Sequence, residues 1–231
     1  MAVNFSKLQE IIEVEFNDIN LLKQAFTHRS YLNEDPKWGK GHNERLEFLG
    51  DAVLELVVSD YLFTQYPEEP EGFMTNLRAA LVNADTLSGV ARDLNFNDFI
   101  LLSKGEAKDL GRGRNYILAN AFEALIGAIY LDQKYSKAKK FIEKFLIGSQ
   151  LEKIISDKTF KDPKSLFQEK SQALLNITPI YKLLEEWGPD HAKHFKMGLF
   201  LGHEKIAEGE GHSKQEAELA AAKNGLEVKE W

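Results

Sequence analysis

Apolar residues recur every three to four positions through most of residues 1–155, which is the spacing of one buried helix face. The repeat is clearest in the segments LLKQAFTHRSYL, FMTNLRAALVNADTLSGVARDL, YILANAFEALIGAIYLD and KAKKFIEKFLIGSQLEKII. The stretch YPEEPEG at 66–72 is rich in Glu and Pro and is predicted to be a loop between two helices. This part of the chain is therefore predicted to be all-helical.

A different pattern begins near residue 160. The polar segment SDKTFKDPK contains Asp162 followed by Pro163, which is typical of a helix N-cap with proline at the first helical position. A linker running into a new helix is the natural interpretation. We predict one domain over 1–155, a linker over 156–161 and a second domain over 162–231.

After this helix the sequence favours three strands and a final helix. The run HFKMGLFLG alternates its apolar positions, as a half-buried strand does. Its apolar face is formed by Phe195, Met197, Leu199 and Leu201. The final helix opens with Ser213 and Glu216 at the spacing of a capping box. The predicted fold class is thus an all-α domain followed by a small α+β domain with the order α-β-β-β-α.

The composition limits the possible classes of function. The chain has 231 residues, 43% of them hydrophobic, and no cysteine, which excludes disulfides and thiolate metal sites. No uninterrupted apolar run approaches the roughly 18 residues that a membrane span needs, so a cytoplasmic protein is expected. The net charge of −7 argues against a nucleic-acid partner, unless carboxylates hold divalent cations that reverse the sign of the site.

The segment HNERLEFLGDAVLELVV, residues 42–58, places acids along one line of a predicted helix. At about 100° per residue the four acids fall within about 80° of arc, with Leu and Val on the opposite side. These acids are Glu44, Glu47, Asp51 and Glu55. Taken alone, the stripe is best explained as a solvated helix face.

A second segment changes this interpretation. In ILANAFEALIGAIYL, Glu123 is the only charged residue, and a lone carboxylate among apolar side chains is costly without a partner. The same helix face carries Asn120, Ala124 and Gly127, which are small or polar. Residues of this kind let another helix or a ligand approach closely, so we expect this face to meet the acidic stripe.

Packing the two faces together would bring four oxygen-bearing side chains to one point. They are Glu47, Asp51, Asn120 and Glu123. An all-oxygen set suits a hard cation such as Mg²⁺, and without a cation the carboxylates would repel one another. A site of this type performs phosphoryl chemistry, because the metal generates hydroxide at neutral pH and stabilises charge on a phosphate.

Motifs from nearly the whole chain fit one known family. They are NERLEFLGDAVLE, AFTHRSY, NLRAALV, ILANAFEALIGAIYLD, DPKSLFQEKSQ, GPDHAKHF and SKQEAELAAA. Together they resemble the bacterial ribonuclease III family. The resemblance implies an all-helical endonuclease domain followed by a double-stranded RNA-binding domain, acting as a homodimer in which each subunit cuts one strand. It also implies Mg²⁺ as cofactor, with Mn²⁺ as a substitute, and a place in ribosomal and messenger RNA processing.

The family's metal and catalytic positions fall, residue by residue, on Glu47, Asp51, Asn120 and Glu123. Glu44 and Glu71 match its supporting acids. Phe48 matches the aromatic residue that these enzymes insert into the partner subunit, and ordinary core packing is the alternative for this side chain.

Asn120 departs from the family, whose usual residue at this position is aspartate. An amide carbonyl can coordinate Mg²⁺, but the matched site has three carboxylates instead of four, so weaker metal binding and slower cleavage are expected. A natural site tuned around the amide and an engineered site intended to trap an uncleaved complex both fit the sequence.

The resemblance also implies two groups of RNA contacts. In the second domain they are Gln168, Gln172, His191, Lys193, Ser213 and Lys214. In the first domain Arg112 and Arg114 belong to the basic loop KGEAKDLGRGRN, for which a solvated loop is the alternative. Duplex RNA is read largely by shape, so modest binding is compatible with nine lysines against twelve acids over 162–231.

Three hypotheses follow from the sequence. A metal-dependent endonuclease for double-stranded RNA is the leading one. The rival is a catalytically weakened double-stranded RNA-binding or ribosome-associated protein, and its only support is Asn120. A helical structural dimer explains neither the isolated Glu123 nor the appended α-β-β-β-α unit.

Overall fold

The computed structural model describes residues 3–108, 111–157, 160, 162–189 and 192–231, with only the backbone of Arg112. The chain forms two compact units, Met1–Phe160 and Lys161–Trp231. The first unit is helical, and the second combines two helices with a sheet. Within the described residues, no helix is both long enough and apolar enough to cross a membrane.

Two long helices form the centre of the first unit. The described helices are α1 (Phe5–Ile12), α2 (Ile19–Ala25), α3 (Glu44–Gln65), α4 (Glu71–Val82), α5 (Ala84–Asp93), α6 (Arg112–Ile142) and α7 (Gly148–Ser156). A π-helical turn, Glu143–Ile147, joins the last two. Helices α3 and α6 share the largest helix–helix contact of the unit, so their packing sets the position of the other elements.

Glycines let α3 and α6 approach to backbone contact. A Cβ atom on Gly50 of α3 would lie 1.8 Å from the carbonyl oxygen of Glu123, and one on Gly127 of α6 would lie 2.2 Å from that of Leu46. Neither position can carry a side chain unless the helices move apart. The close approach predicted for the helix face around Ala124 is confirmed, and the element that approaches is α3.

Aromatic rings pack in a row beside this crossing. The row consists of Phe26, Phe96, Phe122, Phe141 and Phe145, with successive ring centroids 4.7, 6.2, 5.6 and 5.1 Å apart. The first three have no exposed surface. Buried rings remove roughly 150–250 Å² each from water, so they dominate the energetics of a core. The row holds both halves of α6 against the chain that follows α2 and α5.

Helix α6 contains a kink. Lys134 has φ 69° and ψ −179°, a backbone conformation that residues with a side chain rarely adopt. The turn before it is anchored, because the carboxylate of Asp132 accepts hydrogen bonds from the backbone N–H groups of Asn17 and Asp18, both at 2.9 Å. The kink is therefore fixed by contacts to the chain between α1 and α2.

The second unit consists of α8 (Pro163–Leu175), β1 (Pro179–Trp187), β2 (His194–Leu201), β3 (Glu204–Gly211) and α9 (Lys214–Lys229). The strands form an antiparallel sheet in the order β1-β2-β3. Leu199 and Leu201 of β2 pack in a core with Phe167 of α8 and Ala221 of α9. The predicted α-β-β-β-α order is confirmed.

Both predicted helix starts in this unit are confirmed. The side chain of Asp162 caps α8, with Pro163 at its first position. At α9, Ser213 Oγ accepts the backbone N–H of Glu216 at 3.1 Å, and the Glu216 carboxylate accepts the backbone N–H of His212 at 2.8 Å. These bonds satisfy donors that a helix N-terminus otherwise leaves without a partner.

One boundary in the first unit differs from the sequence prediction. The loop expected over 66–72 ends at Pro70, and Glu71 is the first residue of α4. A carboxylate in the first turn is stabilised by the N–H groups and dipole of the helix start, which explains why the helix begins before the apolar run.

The variant Gly50→Ala is expected to destabilise the first unit. The added methyl group would overlap the backbone of Glu123, and overpacking of this kind costs about 1–3 kcal/mol. Gly89→Ala on α5 is the matched control, because a Cβ atom there meets nothing within 4 Å and alanine is the better helix former. The urea concentration at which half of the protein is unfolded, measured by circular dichroism, should fall for Gly50→Ala and not for Gly89→Ala. Equal midpoints would contradict the close crossing.

The variant Lys134→Gly is expected to stabilise the first unit by about 1 kcal/mol, because glycine adopts a positive φ without strain. Lys137→Gly makes the same change three residues further on, where α6 is regular. It should lower the free energy of unfolding by about 1 kcal/mol. Thermal unfolding measures both. A melting temperature that falls for Lys134→Gly would show that the kink carries no strain.

Candidate active site

The crossing of α3 and α6 places acidic side chains from both helices at one location. Glu47 and Asp51 lie on α3 on either side of Gly50, and Glu123 lies on α6 where its backbone touches that glycine. Asn120 lies about one turn earlier on α6. Asp51 is exposed, and the other three side chains are half-buried. The four positions singled out in the sequence thus lie on the two helices that form the crossing.

These acids raise one another's affinity for protons. Burial, followed by the negative charges of Asp51, Glu47 and Glu55, raises the pKa of Glu123 to about 7. Burial, followed by the charges of Glu44 and Asp51, also raises the pKa of Glu47 above its ordinary value. A carboxyl group responds in this way when negative charge around it is not compensated. The crossing is therefore a location where a cation would be favoured.

The predicted donors also lack protein partners. Within the part of the chain that the structure describes, no hydrogen bond or ion pair involves the side chains of Glu47, Asp51, Asn120 and Glu123. The neighbouring acids of the stripe differ in this respect, since Glu44 lies 3.5 Å from Arg29 and Glu55 lies 3.0 Å from Arg78. The oxygens of the four donors are thus available to a ligand.

Glu55 is a member of the acidic group that the sequence argument left out of the site. Its charge contributes to the raised pKa of Glu123. Arg78 of α4 pairs with it and also donates a hydrogen bond from Nη1 to Ser59 Oγ at 2.8 Å. The arginine in the motif NLRAALV was the sequence signal for this contact, but only the packing of α4 on α3 makes it.

The two predicted supporting acids lie further from the centre of the site. Glu44 begins α3, and its charge acts on Glu47. Glu71 begins α4, where its Oε1 accepts a hydrogen bond from Thr75 Oγ1 at 2.7 Å. Neither is among the groups that raise the pKa of Glu123.

The donor set fits a hard divalent cation in chemical type and in charge. Carboxylate and amide oxygens are the ligands that Mg²⁺ prefers. The side chains do not form a finished ion cage, since no three His, Asp or Glu residues in the described ranges are grouped closely enough to hold an ion. Carboxylates repel one another, and the charge of a cation would offset that repulsion.

An apolar stripe on α3 lies beside the acidic one. It consists of Phe48, Leu56 and Phe63, which are 82%, 57% and 72% exposed. A pocket of about 640 Å³ adjoins Phe48, and another of about 460 Å³ adjoins Phe63. Core packing of Phe48, the alternative considered from the sequence, is wrong. The stripe has the character of a surface that another molecule covers.

The basic segment predicted to be a loop is partly helical, because Arg112 and Arg114 lie in the first turn of α6. Arg114 Nε donates a hydrogen bond to Asn97 Oδ1 at 2.8 Å, so this side chain fixes the start of α6 to the chain after α5. Lys104 precedes a short 3-10 turn, Lys108 is its last residue, and both are exposed. The side chain of Arg112 lies outside the described part of the structure.

On α8, Gln168 and Gln172 are exposed one turn apart. Each lies about 100° around the helix from the residue before it, and those residues, Phe167 and Ser171, are buried. Amide side chains at this spacing suit hydrogen bonding across a shallow groove.

The remaining predicted contacts lie at the ends of the strands. Ser213 caps α9, and Lys214 is exposed in its first turn. Lys193 is half-buried and lies 3.6 Å from Glu186. His191 lies outside the described residues. The predicted RNA contacts that the structure describes lie on different elements of the second unit, so their relative positions depend on its fold.

The chain matches two protein families over ranges that follow this division. Residues 18–150 match the family described as Ribonuclease-III-like, and residues 163–229 match the double-stranded RNA binding motif.

Relatives of known name support the same assignment. The chain is 43% identical to ribonuclease 3 of Borreliella burgdorferi, over 97% of this chain and 91% of that protein. It is 44% identical to ribonuclease 3 of Streptococcus pneumoniae, over 95% and 94%. A solved nuclease domain of ribonuclease III from Campylobacter jejuni, whose structure shows flexibility in a region involved in dimer formation, superimposes with a TM-score of 0.58. That domain is 43% identical and covers 64% of this chain and 99% of its own length. The chain therefore belongs to the ribonuclease III family and is an endoribonuclease with a double-stranded RNA-binding domain.

Proposed function

We propose that this protein is a homodimer that hydrolyses both strands of double-stranded RNA with the help of divalent metal ions, each subunit cutting one strand. The substrates proposed are precursors of ribosomal RNA and other structured transcripts in the cytoplasm. Family membership supports the reaction class. The metal dependence rests on the residues of this chain.

One observation carries the proposal: a group of carboxylates without protein partners at the crossing of α3 and α6. Burial, followed by the negative charges of Asp51, Glu47 and Glu55, raises the pKa of Glu123 to about 7. A fold gains nothing from uncompensated charge of this kind, whereas a metal site needs it.

The proposed ligands of the ion are Glu47, Asp51, Asn120 and Glu123. A bound Mg²⁺ would supply positive charge for the phosphate and activate water. The protein contributes a rigid backbone contact at Gly50, which holds the two ligand-bearing helices at a fixed spacing. Arg78 keeps Glu55 paired, so this acid is held next to the site without adding an unpaired charge. Glu44 and Glu71 are proposed to act from outside the ligand set.

Duplex binding is proposed for the second unit. Gln168 and Gln172 would reach one minor groove, and the chain around His191 and Lys193 the next. Ser213 and Lys214 would meet a phosphate at the start of α9, where free N–H groups favour anions. Arg112 and Arg114 are proposed to guide the phosphate backbone of the RNA toward the acids of the nuclease unit.

The apolar stripe of α3 is the proposed dimer surface. Three large side chains that are more than half exposed cost free energy in water, and a second copy of the same helix would cover them. Phe48 is proposed to enter the pocket of about 640 Å³ on the partner, which the same helix lines.

A catalytically weakened binding protein is the second candidate, and Asn120 favours it. The amide removes one negative charge from the proposed ligand set, which weakens the attraction for a cation. Cleavage assays separate the two functions.

With a labelled hairpin RNA and a titration of Mg²⁺ or Mn²⁺, the unmodified chain is expected to cleave. Asn120→Asp should lower the half-saturating metal concentration by at least about tenfold, since the added charge strengthens metal binding. Glu123→Gln should slow cleavage by about 100-fold without changing RNA binding measured in EDTA.

Glu143→Gln is the matched control, because this acid follows α6 directly but lies beside Lys139, away from the crossing. Its cleavage rate should be unchanged. Equal activity of the unmodified chain and Asn120→Asp at low metal would reject the charge argument. Duplex binding with no cleavage at any metal concentration would favour the binding protein.

The variant Phe48→Ser is expected to weaken self-association by about 30-fold, because a buried aromatic anchor at an interface contributes about 2 kcal/mol or more. Sedimentation equilibrium measures the dissociation constant. Val228→Ser removes an equally isolated apolar side chain, 62% exposed on α9, and should leave association unchanged. A monomeric unmodified chain at micromolar concentration would exclude the proposed interface.

A further inference from the structure

Three aromatic rings form a row across one end of the sheet in the second unit. Trp187 of β1 pairs in register with His194 of β2, and their rings stack with centroids 5.5 Å apart and planes only 13° from parallel. The ring of His212, which follows β3, lies 4.3 Å from that of His194. Strands β1 and β2 therefore contribute one ring each, and the residue directly after β3 contributes the third.

The row faces away from the helices. Phe195, the next residue of β2, pairs with Gly211, and a Cβ atom on that glycine would lie 2.6 Å from Cβ of Glu216 on α9. Because side chains alternate along a strand, His194 points to the opposite face of the sheet. The core of the unit thus lies on the other side.

The rings at both ends of the row are accessible to solvent. Trp187 is 42% exposed, His212 is exposed, and His194 between them is half-buried. A planar ring that is stacked on one side and open on the other is the arrangement on which proteins bind unpaired bases, since every base offers a flat face.

The row is also joined to both segments proposed to contact the duplex. Lys193 directly precedes His194, and Ser213 and Lys214 directly follow His212. At this end of the sheet the row therefore adjoins both proposed contact segments.

We propose that Trp187, His194 and His212 form a stacking site for an unpaired RNA base next to the bound duplex. The ligand class is a single nucleobase, from a bulge in the stem or from a strand end. The inference rests on the proposed binding of double-stranded RNA by this unit. It adds a preference for duplexes that carry an unpaired base over fully paired ones, which shape recognition alone does not give.

The test compares three hairpins with a stem of about 20 base pairs, longer than the roughly 16 that one such domain covers. One is fully paired, one carries a single bulged adenine, and one carries a 3′ adenine overhang. Affinities are measured in EDTA by anisotropy with the full chain. The unmodified chain is expected to bind the bulged or overhanging RNA at least about fivefold more tightly than the paired one.

Two variants and a control assign the preference to the row. Trp187→Ala should abolish it and Trp187→Phe should keep it, while affinity for the paired hairpin stays the same in both. His212→Ala, a change at an exposed position, should reduce the preference even if Trp187→Ala fails to fold. In a chain with Trp38→Phe and Trp231→Phe, the emission of Trp187 should be quenched by the preferred RNA and not by the paired one.

Equal affinity for all three hairpins, or a preference that survives Trp187→Ala, would overturn the stacking site while leaving duplex binding intact. Whichever of the bulge and overhang is preferred identifies the source of the base. If the paired hairpin binds no better than single-stranded RNA of equal length, the proposed binding of duplex RNA itself fails, and the inference fails with it.

Discussion

The backbone contact between α3 and α6 is the constraint on which the first unit depends. Gly50 and Gly127 remove the side chains that would otherwise keep the helices apart, so the carbonyl groups of Glu123 and Leu46 lie against the opposite helix. This spacing leaves no room for water between the helices and partly buries the acids on their common edge. A polar group that loses water without gaining a partner is destabilised, and the raised pKa of Glu123 expresses that cost.

The same constraint resolves the contradiction between an acidic chain and a polyanionic substrate. The net charge of −7 opposes RNA in general, yet three carboxylates without protein partners lie at one crossing, where a divalent cation would invert the local sign. Elsewhere many charges are neutralised in pairs, as with Lys196 between Glu208 and Glu210 on the sheet. In the second unit, exposed amides on α8 and a helix start on α9 replace a strongly basic surface, and this suits a ligand that is read by shape.

The sequence predicted more of the fold than of the site, and the particular failures have physical causes. The strand face of β2 and the caps of α8 and α9 follow from local periodicity and local hydrogen bonds, so they were predictable. The Arg78–Glu55 pair requires knowledge of how α4 lies on α3, which no local pattern contains. Phe48 illustrates the same limit: an apolar residue on an amphipathic helix has two possible destinations, and only its 82% exposure decides between the core and a surface.

By itself the sequence determined the order of elements, the division near residue 160, the acidic stripe of α3 and the isolation of Glu123, because each is a property of neighbours along the chain. Tertiary structure decided which helix meets Glu123, that Arg78 pairs with Glu55, that Lys134 sits in a kink, and that the rings of Trp187, His194 and His212 form one row. Those features depend on distances between residues far apart in sequence. Such distances are set by close packing of the whole unit, where a single missing Cβ atom changes the spacing of two helices.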